Sequence, residues 1–174
     1  MQGLLDFLRN HYLDLKFLHV FFVAMWSFST VVAYVYYVVP AFRAAARDPD
    51  DPERIAQRNW AMERFDRGVI LEHIAFPVVL VTGALLVWVA GWTIHAWTWF
   101  GAKMLIVALI FIPLEIVDYY VSHFGGNKER IRKTGNMERY DAMMGFHWSF
   151  FRFSAVLIGI FIPLTYYLAV AKPF

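Results

Sequence analysis

Between Lys16 and Arg43 the chain carries no formally charged side chain. About 20 apolar residues cross a bilayer core as a helix, so this run fixes the medium before any other feature does. It opens with His19, one turn after Lys16, and it places Trp26 seven residues later on the same helical face. A histidine inside a membrane span is costly unless it has a partner or a ligand. His19 therefore reads as the mark of a cofactor site, with further helices closing around it.

Three more runs follow the first. No residue from His73 to Ala102 is formally charged, which is longer than one span, and GWTIHAWTWF supplies a turn inside it. The spans expected are about 15–41, 69–90, 99–120 and 146–170, within a single transmembrane domain 1–174. Composition agrees, because 60% of the 174 residues are hydrophobic and 19% are aromatic. The fold class expected is an all-α integral membrane bundle of four helices, up-down-up-down, with spans one and three diagonal, as are two and four. Residues 3–15 and the segment from Glu53, with Ile55, Trp60, Met62 and Phe65, read as amphipathic helices on the membrane surface. The opening MQGLLDFLRN lacks a basic leader and a small-residue cleavage site, so no signal peptide is expected there.

Lysine and arginine sort the connections. Arg43, Arg47, Arg54, Arg58, Arg64 and Arg67 crowd the first long loop, and HFGGNKERIRKTGNMERYD the second. The short loop between spans two and three has no basic residue, and Trp92, Trp97 and Trp99 there fit an interfacial belt. Both long loops are expected in the cytoplasm and both termini in the periplasm of a bacterial inner membrane. The net charge of +2 gives no reason to expect a nucleic-acid partner.

Depth divides the polar residues into two sets. His19, Lys103 and Met104 share the outer half. A bundle haem takes axial ligands from facing helices, so His19 is a candidate iron ligand with Met104 or another group opposite, or else a hydrogen-bonded core histidine. Lys103 would offset a propionate, or would simply snorkel to the interface. The inner half holds His73 and His147, a second candidate pair of haem ligands, each also readable as an interfacial histidine. Glu115 and Asp118 lie three apart, on one face that Met104 shares. Arg152 is a candidate partner for either acid, in an ion pair, a proton relay or a propionate anchor. His11, His95 and His123 read as surface or loop residues. With no cysteine in the chain, any haem is non-covalent.

These residues also carry a resemblance. Lys16-x-x-His19 with Trp26 resembles the opening helix of the membrane protoporphyrinogen oxidases of the HemJ type. Pro77 with Thr82 is similar to that family's second helix, Trp99-x-x-x-Lys103 to the start of its third, and Val170-Ala171-Lys172-Pro173-Phe174 to its ending. The His-plus-Trp opening is also similar to that of the copper-resistance D-like membrane proteins. The resemblance implies a four-helix protein that binds haem b through His19, uses Lys103, and oxidises protoporphyrinogen IX to protoporphyrin IX.

The function expected is thus a haem b membrane oxidoreductase acting on a tetrapyrrole. One alternative is a cytochrome-like subunit that relays electrons to a membrane partner through His73 and His147. Another is a cofactor-free, copper-linked transport or assembly protein. A homo-oligomer in the bilayer is compatible with each.

Overall fold

The computed structural model describes residues 2–95 and 97–173. All regular structure among them is helical. A short helix α1 (Gln2–Asn10) leads into α2 (Tyr12–Arg47), α3 (Pro52–Ala90), α4 (99–123), α5 (Lys128–Lys133) and α6 (Met137–Ala171). Four stretches are long and apolar enough to cross a membrane, so this is a multi-pass membrane protein. α2 packs most closely on α3, and the start of α4 on α6.

The helices outrun the apolar spans that mark them. α3 has 39 residues, which at 1.5 Å each is roughly 58 Å, against about 30 Å of hydrocarbon. The segment expected to lie on the membrane surface from Glu53 instead continues into the second span, with a local break at Val69. Asp51 starts it, accepting the Glu53 backbone N–H at 2.9 Å, with Pro52 in the first turn. The amphipathic N-terminal helix is real but shorter than expected, because the helix breaks at His11.

Two π-helical turns punctuate the rods. In α2 it is Tyr34–Val38, and in α4 it is Val107–Phe111. Each ends two residues before a proline, Pro40 and Pro113. Proline's ring crowds the carbonyl four residues back, here Tyr36 and Leu109, and the turn widens to relieve it. Val39 and Ile112 accordingly donate five residues back, to Tyr34 and Val107.

Both long charged connections lie at one end, where Arg132 reaches Glu63 at 2.8 Å and Arg67 reaches Glu129 at 3.5 Å. Beneath them Val38, Phe42, Met62, Phe65, Tyr140, Met144 and Phe151 form one core. A second core at mid-height gathers Trp26, Ala75, Phe76, Phe111 and Ile162. The opposite end is aromatic: Trp92 meets Trp99, and the Lys172 ammonium lies over both rings, 5.9 and 5.4 Å from their centroids. Gly91 ends α3 at φ 66°, in the left-handed region that suits glycine.

Candidate functional site

Toward the aromatic end, His19 on α2 faces Thr82 on α3, with Nδ1 2.9 Å from the threonine oxygen. Thr82 gives its own proton to the Val78 carbonyl at 2.6 Å. Its oxygen can then only accept, so His19 Nδ1 carries the hydrogen and Nε2 the lone pair. Gly83 permits this approach: a Cβ there would stand 3.2 Å from His19 Cε1. Lys103 on α4 lies within electrostatic reach of the ring. The three residues come from three different helices, and each belongs to a separate motif of the sequence. Met104 is half-buried next to Lys103, with the second π turn between it and Glu115.

Deeper in the bundle, Trp26 donates its indole N–H to Glu115, and Thr30 donates its hydroxyl to Glu72. Trp26 therefore bridges α2 and α4. Arg152 pairs with neither Glu115 nor Asp118. It is exposed, its guanidinium 6.0 Å from the Trp148 ring centroid, because it follows buried Phe151 and turns off that face.

The largest polar cluster sits toward the charged end, sealed from solvent. His73, Asp118, Ser122, Lys128, His147 and Asp66 are all buried. Asp118 stands between two imidazoles, Oδ2 3.1 Å from His73 Nε2 and Oδ1 3.3 Å from His147 Nε2. A bis-imidazole haem site would need iron where this carboxylate stands, so His73 and His147 are not placed as its two ligands. They are joined, as their diagonal positions suggested, but by an acid. No group of three or more His, Asp or Glu among the described residues converges as metal donors.

Asp66 and Lys128 complete the cluster, and both lie in charged segments that read as lying outside the spans. Lys128 ion-pairs with Asp66 at 3.0 Å, donates to the Val121 carbonyl at 2.8 Å, and donates to His147 Nδ1. Because a lysine ammonium only donates, His147 Nδ1 is the acceptor and the hydrogen of that ring is on Nε2, toward Asp118. One signal could have found Asp66: it precedes His73 by seven residues and shares its helical face. Lys128 had no such signal, since a tight turn through Gly125 and Gly126 folds it back under α4. His123 also belongs here, half-buried with its ring 4.7 Å from that of His73. Tyr119 stacks on His73 at 4.1 Å and donates to its carbonyl.

For haem b, the donor chemistry at His19 fits. A metal-ligating imidazole commonly donates its other nitrogen's hydrogen to a fixed acceptor, which orients the ring and leaves the lone pair for the metal. Thr82 is that acceptor here. Of the terminal motif, Phe174 lies outside the described residues. No known protein family, curated protein or solved structure matches this chain.

Proposed function

We propose that the chain is a haem b-binding membrane oxidoreductase that oxidises a porphyrinogen, protoporphyrinogen IX in the reading its motifs suggest. The observation that supports this is the His19–Thr82 hydrogen bond between two spans, with the Lys103 charge within electrostatic reach of the same ring from a third. His19 and Lys103 were singled out as polar residues of the outer half, and Thr82 by its motif, each on a different span. Bound haem would accept electrons there. His19 would hold the iron through Nε2, Thr82 would fix the ring, and the Lys103 ammonium would hold a carboxylate of the porphyrin or the substrate. Charge-assisted contacts of that kind contribute roughly 1.5–3 kcal/mol each.

The setting proposed is a bacterial inner membrane. The basic connections argue for a cytoplasmic charged end, with both termini in the periplasm. The partner for the electrons is then another component of the same membrane.

An absorption spectrum of the purified, dithionite-reduced protein tests the reading. A Soret band with sharp alpha and beta bands is expected in wild type and is lost in His19→Ala. Absence of haem from wild type leaves the cofactor-free alternative. Haem without complementation of a protoporphyrinogen-oxidase-deficient bacterium leaves electron relay.

A further inference from the structure

We propose that Arg43 on α2 and Arg152 on α6, beside the stacked rings of Phe42 and Trp148, form a binding site for the phosphodiester of an anionic phospholipid in the leaflet at the charged end. The inference stands on these side chains and is independent of haem at His19.

Unpaired charge gives the first argument. Other arginines of the charged end meet acids: Arg54 meets Asp51 at 2.9 Å, Arg58 meets Asp141 at 3.5 Å, and Arg132 meets Glu63 at 2.8 Å. Arg43 and Arg152 are both exposed, and neither forms an ion pair among the described residues. Arg152 is the harder case, since it lies within the fourth apolar span. Phe153, next in sequence, and Val156, one turn on, are exposed apolar side chains on the hydrocarbon side of α6. A charge on such a surface is costly unless it reaches an anion. Arg152 lies six residues into the span, roughly 9 Å from its charged end. From that depth an arginine stem carries its guanidinium back to the head groups.

Convergence gives the second argument. Phe42 stacks on Trp148 with centroids 4.5 Å apart, and Tyr34 meets Phe151 edge to face at 5.4 Å. These ring pairs hold the charged-end half of α2 antiparallel against α6. Arg43 follows Phe42, and Arg152 follows Phe151. A helical side chain leans toward the N-terminus of its own helix. The two helices run in opposite directions, so Arg43 leans into the bilayer and Arg152 out of it, toward one level. Both guanidinium charges accordingly act on the hydroxyl of Tyr34, which has no hydrogen-bond partner among the described residues. The Arg152 guanidinium lies 6.0 Å from the Trp148 centroid, a cation–π contact that orders it before a ligand arrives.

The ligand class follows from these donors. A guanidinium fork takes two phosphate oxygens at once, and basic pockets between membrane helices take phospholipid head groups. The Tyr34 hydroxyl can donate to the same phosphate. A phospholipid also brings acyl chains, and exposed Tyr36, Phe153 and Val156 supply apolar surface for them. Soluble phosphate brings only the anion.

The test is native mass spectrometry of the full chain in detergent. It is titrated with dioleoyl phosphatidylglycerol, with dioleoyl phosphatidylcholine, or with inorganic phosphate. Phosphatidylglycerol should bind more tightly than phosphatidylcholine. Arg43→Gln and Arg152→Gln should each weaken its binding by about fivefold, the worth of one basic residue near an anionic surface. Arg47 is exposed and one turn further along α2, outside the site, so Arg47→Gln should leave the affinity unchanged. Should a glutamine variant fail to fold, Arg43→Met or Arg152→Met, which keeps the stem, gives the same comparison. Equal losses in all three variants would reduce the effect to general surface charge and overturn the site. Unchanged affinity in the Arg43 and Arg152 variants overturns it too, as does displacement of the lipid by inorganic phosphate at equal concentration.

Discussion

Lys128 meets Asp66 across 3.0 Å, and solvent reaches neither side chain. Neither oxygen of Asp66 receives an aligned hydrogen bond, so the lysine charge is what keeps that carboxylate tolerable. Removing one member of a buried pair strands the other, at about 3–5 kcal/mol. Lys128→Met should therefore destabilise the protein by about that much in detergent unfolding. Lys128→Met with Asp66→Leu should recover most of the loss, since a well-packed apolar pair replaces an ion pair at little cost. A double variant as unstable as the single one contradicts this account.

Thr82 acts on His19 through a single hydrogen bond. Thr82→Val keeps the volume and removes the acceptor. Loss of such an orienting partner weakens metal binding by roughly 10- to 100-fold. Haem titration of the apo-protein should show that drop, with the helices intact by circular dichroism.

Lys103→Gln separates a working lysine from an interfacial one. The variant should insert and reach the membrane at wild-type level. If Lys103 holds a carboxylate as proposed, the variant should fail to sustain porphyrinogen oxidation in a deficient bacterium, because a contact worth roughly 1.5–3 kcal/mol would be gone. Equal growth with both proteins would leave Lys103 as a snorkelling residue.

Two glycines make a matched comparison. A Cβ at Gly126 would come within 2.7 Å of the Val121 Cα, a backbone atom that cannot step aside. Gly126→Ala should cost about 1–3 kcal/mol by overpacking and should disturb Lys128 two residues on. At Gly159 a Cβ meets nothing within 4 Å. Gly159→Ala should be neutral, or stabilise α6 by up to about 1 kcal/mol. Thermal unfolding of the two proteins side by side checks the sign of each.

Much of the fold was legible because charge-free runs report the hydrocarbon directly. They do not report where a helix stops. Arg43, Arg47 and the residues after Pro52 are good helix formers, so α2 and α3 continue past the apolar spans into the charged end. The candidate site was half legible. His19 and Lys103 stood out as polar residues of the outer half and Thr82 by motif, and the His19–Thr82 bond is what a bundle of these spans allows. His73, Asp118 and His147 stood out as ionisable groups in apolar runs. Asp66, Lys128 and His123 did not, because a charged residue in a charged segment looks solvated until another helix covers it. Arg152 misled for the opposite reason: it is charged and inside a span, yet it lies on the outer face.

The prolines at 40 and 113 have a consequence that hydrophobic patterning hides. Each π turn inserts about one residue into the helical repeat, which shifts the phase of everything beyond it by about 100°. In an unbroken α-helix Met104 would share a stripe with Glu115, eleven positions on. The wide turn between them sends the two ends of α4 to different neighbours, Lys103 toward His19 and Asp118 toward His73 and His147. A one-residue deletion inside Val107–Phe111 would restore the regular winding. It would also turn one of these two stations away from its partners, so the length of this segment is as tightly specified as any side chain in it.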